Sequence, residues 1–313
     1  NIVIKKGKYE GVNGSIRVNG KQNNYGSMGD MNGFTAYGNY KTEKWNFYTS
    51  YNLNNRVRNT FGHRDVEVRY FDINGTPQDT VPLYSFLFNN ESDRFGQSIK
   101  LGSDYSVNEN MILTGEVNYK VHLRQGEKTQ DNPGELPDIL TIEKDGDDNY
   151  GVEGYFEIEK TFDNPDREFN FSTNYDYAVD DEIEILPLIG DSTILNENLN
   201  GLDIDVSYKH PLNQDTKIEF GYDGRINNNN ENMDFQLTDS NDNTFSGVNT
   251  FRYKRDIHSF FIEYNQKLSE SFSIKPSVRY EYIRKNIKFK SDIIEEVDSE
   301  SIPLYAEILN SLQ

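Results

Sequence analysis

The chain has 313 residues, with 52 acidic and 32 basic side chains, a formal net charge of -20 and no cysteine. Its mean hydropathy of -0.81 excludes a bundle of membrane helices, because each such helix needs about 20 consecutive apolar residues. The lack of cysteine excludes disulfides and thiolate metal sites, and the acidic surplus argues against binding to nucleic acid, whose phosphates it would repel.

Apolar and polar residues alternate along short segments of the chain, which predicts β-strands. Trp45, Phe47, Thr49, Tyr51 and Leu53 alternate with mostly small polar residues. In chain order, strands are predicted at 11–20, 31–41, 44–54, 93–107, 111–124, 150–161, 168–178, 200–210, 216–226, 256–267 and 272–284. The 21 Tyr and 19 Phe residues fall mainly on the apolar side of these segments or near their ends, as aromatic girdles of a membrane barrel would.

The connections between these segments alternate between short and long. The short ones, at 42–43, 108–110, 163–167, 211–215 and 268–271, are rich in turn-forming residues. The long ones are predicted as loops at 21–30, 55–92, 125–149, 179–199, 227–255 and 285–302. This rhythm predicts an all-β, antiparallel transmembrane β-barrel with short periplasmic turns and long extracellular loops.

Two of the long connections contain strand-like pieces of their own. Residues 66–72 alternate and are followed by the turn sequence Asn74-Gly75, and residues 233–237 also read as a strand. We therefore expect local hairpins that stand above the membrane.

The two ends of the chain suggest a processed or partial product. Residues 1–6 (NIVIKK) carry no apolar export segment, and residues 302–313 read as a descending strand. An open sheet in lipid would leave backbone groups unpaired along both edges. We therefore expect either part of a larger barrel or about twelve strands that close on themselves.

Several segments resemble one protein family. The opening NIVIKKGK, followed by EGVNGS at 10–15, resembles the junction between plug and barrel in TonB-dependent receptors, in particular the outer-membrane β-barrel subfamily of Bacteroidetes-type bacteria. Residues 256–264 and 273–282 are similar to a mid-barrel hairpin of that family, and 305–312 to the turn that follows it.

This resemblance implies a division of the chain and a function. Residues 1–8 would end the plug domain, and 9–313 would form about the first 11–12 strands of a 22-stranded barrel. Such a receptor lies in the bacterial outer membrane and imports a scarce nutrient with energy delivered by the TonB complex, which contacts plug segments outside these residues. The resemblance does not identify the nutrient ligand. It allows a surface lipoprotein as a further partner.

Charged residues on the polar side of the predicted strands are the candidate site. A charge facing lipid at the midplane would cost about 2–4 kcal/mol, so these residues are expected to line the lumen or contact the plug. The principal candidates are Arg17, Lys100, Glu116, Arg225 and Arg279. The same face is predicted to carry Lys120, Lys217, Lys275, Asp104, Glu153, Glu157, Asp205 and Glu219.

No catalytic, cofactor or metal site is predicted. The histidines His63, His122, His210 and His258 are scattered and lack a second ligand at metal spacing. The acidic run at 145–148 is interpreted as a solvated loop, since it lacks the ligand order of a calcium loop. The runs at 180–182 and 295–300 are interpreted as loop residues that aid solubility and bridge outer-membrane lipid and lipopolysaccharide.

Three alternatives to nutrient uptake stay open from sequence alone. The first is a structural or assembly-associated barrel that scaffolds a lipoprotein or another protein. The second is a secreted all-β adhesin or carbohydrate-binding module, in which the apolar faces would form a sandwich core. The third is an enzymatic barrel with acidic and histidine residues at its external rim.

Overall fold

A computed structural model describes residues 10–21, 31–71, 77–131, 140–238, 242–292 and 297–299. These residues form one antiparallel sheet of thirteen strand segments, which confirms the predicted architecture. The strands are β1 (Gly11–Lys21), β2 (Met31–Lys41), β3 (Trp45–Phe71), β4 (Pro77–Asn108), β5 (Met111–Asp131), β6 (Leu140–Thr161), β7 (Glu168–Leu186), β8 (Asp191–Pro211), β9 (Thr216–Thr238), β10 (Thr244–Lys267), β11 (Ser273–Ile274), β12 (Ser277–Ser291) and β13 (Val297–Ser299).

The strands lie in the sheet in the order in which they occur in the chain. Each pairs with its sequence neighbours, except that the two-residue β11 lies beside β10 and the sheet continues from β10 to β12. Within the described part of the chain, β1 and β13 lie at opposite edges and do not pair with each other.

The predicted short turns are confirmed, and three of them use the same device. In each, an asparagine side chain accepts a hydrogen bond from the backbone N–H two residues later, which stabilises the reversal of the chain. The bonds run from the N–H of Asn110 to Asn108, from Asp166 to Asn164 and from Asp215 to Asn213, at 2.9, 3.0 and 2.9 Å.

Most of the predicted long loops are wrong, because the strands continue through them. Strand residues occupy most of the described parts of 55–92, 125–149, 179–199 and 227–255, and β12 continues to Ser291. Beyond the apolar band many positions on both faces are polar, so the alternation weakens while the backbone pairing continues. Asn198 of β8, for example, lies opposite Asn230 of β9.

Some predictions lie outside the described residues. These are the plug end at 1–8, most of the loop 21–30, the turn at Asn74-Gly75 and the descending strand at 302–313. The strands on both sides of 72–76 pair with each other as far as Phe71 and Pro77, so the predicted local hairpin is confirmed up to that turn.

Register and the period of two divide the sheet into an apolar face and a polar face. Partners opposite each other share a face, and the apolar face includes Leu101 opposite Val117, whose exposed fractions are 55% and 54%. Among the described residues no second sheet or helix covers this face. The described residues also contain no helix with the length and apolarity needed to cross a membrane.

The apolar band has the height of a bilayer core. On β5 it runs from Leu113 to Leu123, which is about 34 Å along a strand and about 24 Å along the membrane normal at a tilt of about 45°. A transmembrane barrel presents an apolar band of about 25 Å. The agreement favours lipid as the medium that covers this face.

Aromatic rings mark both ends of the band. Next to the short turns, the Trp45 ring packs on Phe47 and Tyr105, with centroids 5.2 and 4.3 Å apart. Toward the other end, His258 stacks between Tyr222 and Tyr282 at 6.0 and 6.2 Å. These are the positions of the two interfacial girdles of a membrane barrel.

The strands are staggered along the sheet. Trp45 is the first residue of β3, but the row of successive cross-strand partners that starts there reaches Phe260, well inside β10. The row runs through Tyr105, Leu113, Ile158, Phe171, Val206 and Tyr222. Stagger of this kind accompanies the strand tilt of a barrel wall.

Candidate functional site: the polar face

All five principal candidates lie on the polar face. Lys100 lies opposite Asn118, and Glu116 lies opposite Gly102 on one side and Tyr155 on the other. Following the register across the sheet places Arg17, Arg225 and Arg279 on this same face. The other charged residues predicted for this face on β4, β5, β6, β8 and β9 also lie there by register.

Most of the principal candidates form ion pairs. Lys100 Nζ lies 2.8 Å from Glu116 Oε2. Asp223 lies between two arginines, with its carboxylate 3.0 Å from Arg279 and 3.5 Å from Arg225. Arg17 is exposed and forms no salt bridge within the part of the chain that the structure describes.

A ladder of ion pairs continues along β5 and β6 beyond the apolar band. Arg124 pairs with Asp145, and Lys128 Nζ lies 2.9 Å from Glu143 Oε2. Nearer the short turns, Lys120 pairs with Glu153. These pairs neutralise Asp145, Glu143 and Glu153, but other acidic residues of β6, such as Asp147, form no ion pair in this ladder.

Part of the acidic surplus of the chain converges on the polar face between β6 and β7. Asp147, Asp180 and Glu182 place carboxylate oxygens within 4.8 Å of one another. Asp147 and Glu182 are direct cross-strand partners, and Asp180 also lies opposite Glu197 of β8. The described residues 145–148 and 180–182 therefore lie in strands, which corrects the prediction that they lie in loops.

Like charges and burial act on this cluster together. It lies beyond Val179, after which the apolar face of β7 carries the charged residue Asp181, and so outside the membrane-spanning part of the strand. Burial raises the pKa of Asp180, and the carboxylate of Asp147 raises it further. Burial and then Asp180 and Asp147 raise the pKa of Glu182. Hard oxygen ligands of this kind could hold a divalent cation.

Sequence reasoning noticed both acidic runs but missed their convergence. The alternation Glu182-Ile183-Glu184-Ile185 was the available signal that β7 continues beyond 178. Extending β6 and β7 by that rule brings Asp147 opposite Glu182.

The histidines do not converge. His258 Nδ1 lies 2.8 Å from the Tyr222 hydroxyl, and His210 Nδ1 lies 3.3 Å from the Tyr208 hydroxyl. Both histidines lie on the apolar face next to aromatic rings.

Comparison with known proteins supports the membrane assignment. Residues 160–301, which include β7 to β12, match the sequence model of the outer membrane protein beta-barrel family. No curated protein and no solved structure matches the chain. The antiparallel sheet and its uncovered apolar band agree with this match: the fold is that of an outer-membrane β-barrel wall, located in the outer membrane of a bacterium.

Proposed function

We propose that the chain forms part of the wall of a TonB-dependent receptor that takes up a nutrient ligand across the outer membrane. The observation that carries this proposal is the charge on the polar face at the height of the apolar band. Glu116 is adjacent to Val117 in the middle of the band, and the side chains of Lys100 and Glu116 keep exposed fractions of 45% and 23%. Charges of this kind suit a lumen that contains water or a polar plug.

The open edges of the sheet support a wide barrel. In this proposal, further strands complete the ring and satisfy the backbone groups of both edges, since β1 and β13 do not pair within the described residues. The resemblance to TonB-dependent receptors puts the total at 22 strands around a plug, of which residues 1–8 would be the end. A barrel of that width has room for a folded plug, whereas an eight-stranded barrel is filled by its own side chains.

In this proposal the five principal candidates contact the plug or line the path of the ligand. Arg225 and Arg279 would contact polar groups of the plug while they remain paired with Asp223. Lys100 and Glu116 would contact the plug as an ion pair. Uptake requires binding and passage rather than a chemical reaction, so we assign no catalytic residue.

One feature favours a second function, that of a scaffold for a lipoprotein or another protein. The β3 and β4 strands (Trp45–Phe71 and Pro77–Asn108) continue as a paired ribbon far beyond the band. Such a ribbon offers a partner a broad surface outside the membrane.

A growth experiment separates the two functions. A strain that lacks the gene is compared with its parent while ferric chelates, cobalamin, oligosaccharides or peptides are supplied in turn as the limiting nutrient. Uptake predicts a growth defect on one nutrient class. Reintroducing the intact gene should correct this defect, and deletion of tonB should reproduce it. Normal growth on every nutrient, together with loss of a co-purifying lipoprotein, would instead support the scaffold.

A further inference from the structure

A group of basic residues lies on the apolar face of β10 and β12, directly beyond the apolar band. Above the aromatic residues Phe260 and Tyr282, this face carries the outer basic patch, which consists of Arg252, Lys254, Arg284, Lys288 and Lys290. On this face the residues change from aromatic to basic between Phe260 and Lys254 on β10, and between Tyr282 and Arg284 on β12. No part of the proposed transport function uses this patch, since it faces away from the lumen.

The register brings the basic residues of the two strands together. Arg252 lies directly opposite Lys288, and Lys254 occupies the next row on the same face, opposite Asn286. Direct cross-strand partners have Cβ atoms about 5 Å apart, and like charges at that distance destabilise a sheet. An anion bound between them would remove this penalty.

The patch has little compensating negative charge from the protein. Arg252, Lys254, Arg284 and Lys290 are exposed, and within the described ranges none of them forms a salt bridge. Asp256 lies opposite Arg284, and Asp298 lies opposite Lys288 in the register. Among the described residues of β10 and β12 on this face, cations outnumber carboxylates, although the chain has a net charge of -20.

Neutral hydrogen-bonding groups border the patch. Asn230 of β9 lies opposite Arg252, and Asn228 lies opposite Lys254. On the same face at the corresponding ends of β6 and β7, Asp148 and Asp181 follow the band, and Lys144 is paired with Glu127 at 3.4 Å. The cluster of basic residues on β10 and β12 is therefore not repeated on β6 and β7.

The height of the patch indicates its ligand. The short turns of a barrel face the periplasm, so the opposite end of the band, where the patch lies, is the outer leaflet. We propose that the outer basic patch binds the phosphate groups of lipopolysaccharide in that leaflet. Each arginine would donate hydrogen bonds to two phosphate oxygens, and the lysines would contribute further positive charge. The aromatic rings nearer the membrane centre would contact the acyl chains.

The test uses the purified protein in a non-ionic detergent and diphosphorylated lipid A as the probe. The variant Arg252→Gln/Lys254→Gln is compared with the control Lys44→Gln/Lys267→Gln, which removes the same charge near the short turns. We expect the patch variant to bind lipid A at least about tenfold more weakly and the control to bind like the unmodified protein. A separate variant, Arg284→Gln, should show a smaller loss of the same kind.

Three further measurements decide the assignment. Heat-dependent gel mobility shows that each variant is folded, so that a loss of binding reports on the patch. Dephosphorylated lipid A should bind weakly to all variants. Equal weakening in the control, equal binding of the dephosphorylated lipid or displacement of lipid A by millimolar inorganic phosphate would each overturn the proposal, the last by showing a soluble-anion site.

Discussion

Lys100 and Glu116 form an ion pair diagonally across β4 and β5, with 2.8 Å between Nζ and Oε2. They are not direct partners, because Glu116 lies opposite Gly102. The ring of Tyr48 occupies the space where a side chain at Gly102 would lie, and the carboxylate of Glu116 pairs with the lysine two residues away. A charged pair thus lies on the polar face, one residue from the apolar position 117.

The coupling energy of this ion pair depends on how much water the interior of the barrel contains. In a double-mutant cycle with Lys100→Met and Glu116→Gln, we expect a coupling energy of about 0.5 kcal/mol, as for other partly exposed pairs. Urea unfolding in lipid vesicles measures the coupling, which should fall as salt is raised. A salt-independent coupling above about 2 kcal/mol would instead indicate a dry interior, contrary to a lumen filled by water or a polar plug.

Neighbouring substitutions on β5 test which face contacts lipid. Val117→Arg places a charge on the apolar face near midplane and should reduce the free energy of unfolding by about 2–4 kcal/mol. The matched control, Asn118→Arg, adds the same side chain to the polar face next to Glu153, whose Oε2 accepts a bond from Asn118 at 3.0 Å. Its effect should stay within about 0.5 kcal/mol. Similar losses in both variants would refute the assignment of the two faces.

Trp45 is the only tryptophan in this sequence, and its fluorescence can measure depth in the membrane. Its position in the girdle beside the short turns predicts strong quenching by lipids brominated near the headgroup and weaker quenching by lipids brominated near the chain end. Phe171→Trp in a Trp45→Phe background should reverse this order, because Phe171 lies deeper in the band. Equal quenching at both depths would contradict the proposed height.

The acidic cluster predicts a dependence of stability on pH. The pKa of Asp180 and that of Glu182 are raised in the folded protein. Their contribution therefore favours the folded state below the ordinary carboxyl pKa, and it is lost as pH rises through the raised value. At pH 7, Asp180→Asn should stabilise the ends of β6 and β7 by about 0.5 kcal/mol.

Hydrogen exchange of the backbone amides around residue 180 measures this gain. The gain should shrink as the pH falls toward about 4, where the carboxylates of the unmodified protein take up protons. The control Asp166→Asn, in the exposed turn before β7, should leave these amides unchanged. Slower exchange that persists equally at pH 4 would rule out like-charge repulsion as the cause.

The sequence predicted the part of the fold that lies in lipid and failed beyond it, for one physical reason. Within the band only one face is apolar, so residues such as Leu113 and Val117 reveal both the strand and its orientation. Beyond the band, where Asn198 lies opposite Asn230, polar residues occupy both faces of many strands, and alternation persists only in short stretches such as 182–185.

The candidate site shows the same division. Arg225 and Arg279 were placed on the polar face correctly because their strands alternate clearly. The convergence of Asp147 with Asp180, and of Arg252 with Lys288, depends on cross-strand register. Residues that are far apart in sequence meet there, and local patterns carry no information about such pairs.

The order of the strands bears on how the protein reaches its final state. Because each strand from β1 to β9 pairs only with its sequence neighbours, no strand has to be threaded between two others that are already joined. The wall can be assembled one hairpin at a time from a single growing edge, with every step closing only a short stretch of chain. A cell could therefore insert this protein one hairpin after another. An interrupted assembly would leave a sheet with fewer strands but the same pairing, and not one with wrongly paired strands.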